Sequence, residues 1–430
     1  MRLRFTGLWR HPDFMKLWTG QTISIFGSLI TRFALPLTAI LLLKATPAQI
    51  ALLSATELVP GLFVGLFAGA LVDRLRRRPI MIWADIGRTL LLASIPLAAI
   101  LHSLHIEQLY IVGFLISILT VFFDVAYKSY LPSLIHREQL VEGNSKLQAS
   151  NSVAEVAGFG IAGVLIQVLT APITILVDAL SFGVSALSLL LIRTREPAPR
   201  SKEARSENPL GVWREIGQGL KLAVSNPILR TIMGASGIVN LKRGMIGVVI
   251  LLFWTHDLHL TPAIMGLVSS VGGISSFVGA MLVERVTGRW GLGRTLLRSS
   301  LLDSFATLLT ALAGGPIVLA VSMLVAQQLF GDGAATAFEI NHISLVQAMV
   351  PGQLQGRINA SIRVVEWAAM LLGLFLAGVL GQTIGLRPTL LIATGIGLLI
   401  PLWIAFSPVR ALRAYPVLAV VPAVATPVSE

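Results

Sequence analysis

The chain has 430 residues, of which 55% are hydrophobic and only 13% are charged, and its mean hydropathy is +0.81. In soluble domains about a quarter of the residues are charged, so this composition excludes a water-soluble domain and indicates that lipid is the solvent. The formal net charge is +12, and the chain has no cysteine, which excludes disulfide bonds, iron–sulfur clusters and thiolate–zinc sites.

Apolar stretches long enough to cross about 30 Å of hydrocarbon occur twelve times along the chain. A polar stretch at 194–226 separates the sixth from the seventh. We interpret it as a cytoplasmic linker in which residues 212–224 form an amphipathic helix on the membrane surface. The tail at 411–430 is expected to be disordered. The predicted spans are 15–43, 48–72, 79–101, 106–130, 144–169, 172–193, 227–254, 260–283, 293–313, 316–345, 356–384 and 387–408.

A shift of 215 residues aligns the chain with itself. Thr-Pro-Ala at 46–48 falls on the same residues at 261–263, and Ala-Gly-Val-Leu at 162–165 falls on those at 377–380. Two parallel repeats in a membrane protein are typical of transporters. We therefore predict an all-α membrane protein with two six-helix bundles that are related by a pseudo-two-fold axis along the membrane normal, at 1–193 and 227–410.

Basic residues predict how the chain is oriented. Most of the 33 Lys and Arg residues lie in loops on the N-terminal side of the predicted membrane. Because such loops stay in the cytoplasm, both termini are predicted to be cytoplasmic, in a multi-pass protein of the plasma (inner) membrane. Topology then explains the positive net charge, and we expect no nucleic-acid partner.

The loop between the second and third spans combines a glycine, an acid and several arginines. A carboxylate at the membrane edge can accept hydrogen bonds from a helix N-terminus or from an arginine, so this loop could lock one side of the protein. A plain basic loop is the alternative. The spacing resembles the signature of the major facilitator superfamily, Gly-x-x-x-Asp-Arg-x-Gly-Arg-Arg, with Arg76 in place of the second glycine. The matching residues are Gly69, Asp73, Arg74, Arg77 and Arg78.

The repeat extends this motif to the second half. Asp124, near the predicted cytoplasmic end of the fourth span, falls on Glu339 after the 215-residue shift. We expect Asp124 to lie beside Arg74, and Glu339 to stand in the same relation to Arg285, as two equivalent cytoplasmic gates. A pair of Asp124 with Lys128, four residues later, is the alternative. The second half carries a degenerate copy of the loop, Glu284 and Arg285.

Segments at 12–21, 131–140, 178–182 and 356–360 are similar to the twelve-span drug:proton antiporter branch of that superfamily. This branch includes macrolide-efflux-type proteins and the enterobactin exporter, and the resemblance implies export driven by inward proton flow. The fifth span also resembles the superfamily's antiporter motif, with phenylalanine where proline is usual. Its small residues should pack closely against a neighbouring span. They are Gly158, Gly160 and Gly163.

Ionisable residues inside the spans are costly unless paired or hydrated, so each is a functional candidate. Arg32 and Glu57 lie equally far from the centre of the first hairpin, and we predict that they form an ion pair near mid-membrane. This pair would be either a proton-sensitive switch or a static link between two spans. Glu155 and Glu366, also near the predicted midplane, are the other candidates for proton coupling.

Two adjacent cations, Lys242 and Arg243, lie midway along the seventh span. The resemblance implies that the first and seventh spans line the substrate cavity, so these cations would suit an anionic substrate. The alternative is that they pair with Asp332 or Glu366. Asp332 is included among the candidate cavity residues.

Four further charged residues lie within predicted spans. Asp85 and Arg88 are spaced i, i+3 on the third span, which places them on one helix face, and we expect a structural ion pair. The roles of Asp178 and Asp303 stay open, because the resemblance implies that the sixth and ninth spans are peripheral.

Together these features predict a secondary active exporter, which exchanges small apolar or amphipathic molecules such as drugs, antibiotics or siderophores for protons. Uptake of a small metabolite by proton symport or facilitated diffusion is the alternative, and a membrane-embedded enzyme is a remote one. The seven histidines are scattered and no Gly-x-x-x-x-Gly-Lys-Ser/Thr loop occurs, so we expect neither catalysis nor ATP use. The expected partners are the substrate, protons and lipid. We expect no metal or cofactor and a monomeric state.

Overall fold

The computed structural model describes residues 7–194, 196 and 209–416, and it contains helices but no strand over that part of the chain. The predicted tail at 411–430 and the linker at 194–226 fall partly outside the described residues. The side chain of Asp73 also lies outside the described residues, so its gate role stays a prediction. The other helical side chains outside the described residues are those of Leu62, Leu66, Phe67, Ala70, 209–216 and Gln353.

Two sets of long helices form the two halves. The first half contains α1 (Pro12–Leu41), α2 (Pro47–Arg74), α3 (Arg77–Ile100), α4 (Ile106–Leu134), α5 (Leu140–Leu169) and α6 (Ala171–Leu190). The amphipathic α7 (Pro209–Ser225) precedes the second half. That half contains α8 (Pro227–His256), α9 (Pro262–Trp290), α10 (Leu292–Leu312), α11 (Ile317–Gln327), α12 (Gly333–Met349), α13 (Gly352–Thr383) and α14 (Leu386–Ala405).

The twelve predicted spans correspond to these helices. Within the described residues, eleven helical stretches are long and apolar enough to cross a membrane, and the stretch from Ile317 to Met349 counts as one of them. The remaining predicted span is α10, whose hydropathy is lowered by charged residues. The predicted surface helix at 212–224 matches α7, where Gly219 and Ala223 pack against the second half.

Helix starts explain part of the sequence repeat. A capping residue followed by proline begins α1, α2 and α8, since proline is preorganised for the first helical position. His11 Nδ1 accepts a hydrogen bond from the Phe14 amide at 3.1 Å, and Thr46 forms a reciprocal capping box with Gln49. Asn226 caps α8 in the position equivalent to His11.

Helix packing repeats with the same shift. In the first half α1 packs on α5 and α6, α2 on α4, and α3 on α6. In the second half α8 packs on α13 and α14, α9 on α12, and α10 on α14. Each pairing in one half is therefore the image of a pairing in the other.

The two halves meet at two symmetric contacts, α5 with α9 and α2 with α13. A Cβ on Gly163 would lie 2.9 Å from the Gly266 Cα, and a Cβ on Gly378 would lie 2.9 Å from the Ala51 Cβ. The 215-residue shift maps Gly163 onto Gly378 and Ala51 onto Gly266. Small residues thus allow close helix approach at both contacts. Gly160 also faces α9, whereas Gly158 faces Leu29 of α1.

The apolar cores show on which side the halves join. One core includes residues of both halves, from Phe33, Ile50 and Ile166 to Val249 and Ala393. The other two cores lie nearer the termini, and each is confined to one half. The halves are therefore packed together on the side remote from the termini and separated on the terminal side. Open space around Gly65, Gly69 and Gly356 is part of that separation.

We expect Gly163→Val to lower the thermal unfolding temperature of the detergent-solubilised protein. The added side chain would meet α9 backbone, and overpacking of this kind costs about 1–3 kcal/mol. Gly395→Val is the matched control, because Gly395 also lies in a span but has open space at its Cβ position. Equal shifts in the two variants would contradict the close contact.

Candidate functional site

A cavity of about 1460 Å³ lies between the two halves. Most of its wall comes from α8, α10, α12 and α13 of the second half. The first half contributes a smaller part from α2 and α4. The described first-half lining residues are Gly61, Phe63, Gly65, Val121, Asp124 and Val125.

The cavity wall combines apolar surface with many polar and charged side chains. Trp254, Phe338 and Trp367 supply aromatic surface. Five carboxylates and three cations line the rest of the wall among the described residues. They are Asp124, Asp303, Asp332, Glu339, Glu366, Lys242, Arg243 and Arg363.

Lys242 of α8 forms an ion pair with Asp303 of α10. The lysine side chain is 6% exposed, so a counter-charge is needed to offset its desolvation. The sequence alternative of a pair with Asp332 or Glu366 is wrong for this lysine. Asp303, whose role the sequence left open, is brought to the cavity because α10 contributes to its wall.

Arg243 pairs with Glu339 of α12, with the guanidinium Nη2 and carboxylate Oε2 2.8 Å apart. Both side chains are about half exposed, at 47% and 51%. Glu339 therefore faces Arg243 across the cavity instead of Arg285, which was its expected partner. Glu284 and Arg285 lie exposed near the end of α9 and form no ion pair in the described part of the chain.

Asp124 lines the cavity and is likewise not paired, since neither Arg74 nor Lys128 lies within ion-pair distance. The physical reason for Asp124 is its depth, because it lies ten residues before the end of α4, about 15 Å along the helix axis, whereas Arg74 is the last residue of α2. The gate roles of Asp124 and Glu339 stay predictions, but the ion pairs expected for them are not formed in this conformation.

The basic loop after α2 is anchored to the segment after α6. The amide groups of Arg77 and Arg78 donate to the Glu196 carboxylate at 2.9 and 3.2 Å, and Arg77 also pairs with it at 3.3 Å. The Arg78 guanidinium donates to the carbonyl oxygens of Leu189 and Leu190 at 2.9 Å, where a helix C-terminus favours a cation. Sequence reasoning missed Glu196.

Arg32 and Glu57 are close enough for the guanidinium to act electrostatically on the carboxylate, but they do not form the predicted direct ion pair. Both side chains are exposed, and no nitrogen–oxygen distance between them is within 4.0 Å. The inferred equal depth fits this electrostatic interaction, but α1 and α2 make little direct contact. Here α1 packs on α5 and α6, while α2 packs on α4, and Ser117 of α4 donates to the Glu57 carbonyl oxygen at 2.6 Å.

The two remaining proton-coupling candidates differ in position. Glu366 lines the cavity within hydrogen-bonding reach of the Ser236 hydroxyl. Ser236 Oγ in turn lies 2.9 Å from Nε2 of the buried His342. Glu155 is exposed and is absent from the described lining of the cavity. Glu366, Ser236 and His342 therefore form a chain of polar groups on the cavity wall, and sequence reasoning missed its histidine.

A π turn at Gln328–Asp332 interrupts the tenth span between α11 and α12. Such turns free backbone groups and often occur at functional sites. Ser275 of α9 satisfies two of these groups, donating to the Leu329 carbonyl oxygen at 2.5 Å and accepting from the Gly333 amide at 3.0 Å. The turn places Asp332 in the cavity wall, within reach of the Gln327 amide.

The chain matches the family model of the Major Facilitator Superfamily over residues 17–365. The protein belongs to this superfamily. It is therefore a multi-pass membrane transporter and not an enzyme. As the superfamily fold requires, the cavity lies between its two six-helix halves.

Individual superfamily members show the same relationship. The chain is 27% identical over 361 residues to the multidrug efflux pump Tap of Mycolicibacterium fortuitum, covering 81% of this chain and 84% of that one. A crystal structure of a mutant of the nucleoside transporter NupG has a TM-score of 0.76 at 12% identity and covers 91% and 99% of the two chains. A bacterial homologue of the iron transporter ferroportin in an inward-facing state has a TM-score of 0.72 at 15% identity, with 93% and 99% coverage.

We expect Lys242→Met alone to lower the unfolding temperature strongly, because it leaves Asp303 partly buried without its counter-charge. Breaking a buried pair costs about 3–5 kcal/mol. The double variant Lys242→Met with Asp303→Leu should recover most of that loss, since no buried charge remains. Thermal unfolding of the purified variants tests this, and a double variant no more stable than the single one would contradict the pair.

Proposed function

We propose that this superfamily member exports small amphipathic molecules of the drug or antibiotic type in exchange for protons. The observation that carries the proposal is the balance of charges on the cavity wall. Two of its three cations form ion pairs with two of its five carboxylates. Among the described lining residues, three carboxylates and one cation, Arg363, then have no ion-pair partner. The unpaired carboxylates are Asp124, Asp332 and Glu366.

This balance favours a substrate with an apolar body and a positive charge. The sequence argument for an anionic substrate rested on Lys242 and Arg243, and both have acidic partners. Asp332 is the best placed of the acids, because the π turn presents it beside the Lys242–Asp303 pair. Trp254 and Trp367 offer aromatic surface for the apolar body.

The predicted topology supports loading of substrate from the cytoplasm. The cavity opens on the side of the termini, and the positive-inside rule assigns that side to the cytoplasm. Substrate would therefore enter from the cytoplasm, and rocking of the halves about the α5–α9 and α2–α13 contacts would expose it to the other side. The relative named as a multidrug efflux pump supports export. We propose that the monomer is the working unit, since each chain contains a complete cavity.

Asp332→Asn is expected to reduce transport of ethidium, a planar organic cation, by about ten- to a hundredfold. Loss of one charge-assisted contact is worth about 1.5–3 kcal/mol. Purified protein in liposomes with an acidic lumen should accumulate ethidium until a protonophore is added. Asp257→Asn, at an exposed carboxylate beyond the end of α8, is the control. Accumulation only with an alkaline lumen would indicate symport instead.

Glu366→Gln is expected to abolish accumulation driven by the pH gradient while preserving ethidium counterflow, which needs no net proton movement. The amide keeps the hydrogen bond to Ser236 but cannot exchange a proton. Glu107→Gln, at the exposed start of α4, is the matched control. Gradient-driven accumulation that survives in Glu366→Gln would show that another group carries the proton.

A further inference from the structure

A buried charge cluster lies inside the first half, and its three residues are not among the described lining residues of the cavity. Asp85 and Arg88 of α3 form an ion pair, and both side chains are almost completely buried. Asp178 of α6 is only 1% exposed and accepts a hydrogen bond from Ser181 at 3.0 Å. Arg88 and Asp85 are both close enough to Asp178 to interact with it electrostatically.

The guanidinium is enclosed on both sides by aromatic rings. Its central carbon lies 4.3 Å from the centroid of Phe123 and 4.1 Å from that of Phe182. These rings attract a cation, but they also keep water away from it. Asp85 Oδ2 and Arg88 Nε are buried with no hydrogen-bond partner. The cluster is therefore sealed, and part of its hydrogen-bonding capacity is unused.

The formal charges of this cluster do not balance. Two aspartates face one arginine, which leaves one negative charge among almost completely buried side chains. An uncompensated charge at such a site costs several kcal/mol, and two carboxylates that share a site do not both ionise. Within the described residues, no second cation completes the cluster.

The surrounding helices supply few other titratable groups. The α4 helix contributes Asp124, whose charge acts on Arg88, with Tyr127 and Lys128 close to that acid. The α1 helix contributes the Thr31 hydroxyl beside Asp178, and α6 contributes Ser185 beside Asp85. Asp124 adds a further negative charge, so it does not remove the imbalance.

We propose that the Asp85–Arg88–Asp178 cluster is a proton-binding site, in which the two aspartates share one proton at neutral pH. The bound proton makes the cluster neutral, and a protonated Asp178 also becomes a hydrogen-bond donor. The site lies in the first half, whereas most of the cavity wall lies in the second. It is thus distinct from the carboxylates that face the substrate.

Infrared spectroscopy of the purified full-length protein tests this proposal. Protein labelled with ¹³C at the aspartate carboxyl should show the C=O stretch of a protonated aspartic acid at pH 8. Asp178→Asn should remove that band, and the control Asp257→Asn should keep it. Absence of the band from the labelled native chain would overturn the proposal, even if Asp178→Asn did not fold. A band that persists in both Asp178→Asn and Asp85→Asn would overturn it as well.

The pH dependence of stability gives a second readout. The folded cluster holds a proton that the unfolded chain releases at neutral pH, so the folding constant should fall tenfold per pH unit while the site stays protonated. Asp178→Asn, which imitates the protonated acid, should flatten this dependence of the unfolding temperature on pH. An unchanged profile in that variant would contradict the proposal. The result does not depend on what the cavity transports.

Discussion

The cost of moving a charge out of water determines much of how this protein is arranged. An ionised side chain in a lipid-surrounded bundle must have a counter-charge, a proton or access to a water-filled cavity. Lys242 and Asp303 meet the first condition, and Asp124 and Glu366 meet the third. The buried aspartates around Arg88 meet the second in our proposal. Each of these requirements limits which neighbours the polar face of a helix can have.

Close contacts between small residues complement this electrostatic constraint. Lipid does not drive helices together as water does, so tight packing of glycine and alanine must hold the halves in register. The repeat supplies this packing twice, at Gly163 with Gly266 and at Gly378 with Ala51. Because both contacts lie on the side remote from the termini, the cavity opens on the other side. The same two contacts therefore hold the halves together and determine the side from which the cavity is reached.

The fold was largely predictable, because the signals for it are local or periodic. Twelve apolar stretches and the shift of 215 residues were enough for two six-helix halves. The site was less predictable. Glu339 has Arg243 as its partner, since rotation of α8 and α12 decides which charges face each other. The π turn at Gln328–Asp332 also escaped prediction, although two adjacent glutamines in an apolar span were a visible signal.

By itself the sequence determined the solvent, the number of spans, the two-fold repeat and the capping residues that begin the helices. These depend on composition and on neighbours a few residues apart. Only the tertiary structure decided which helices touch and which charges pair. It kept Arg32 and Glu57 beyond ion-pair distance, joined Lys242 to Asp303, and left the cavity with more acids than bases. The reason is geometric: depth along a helix can be counted from the sequence, but the direction in which a side chain points depends on packing against helices distant in the chain.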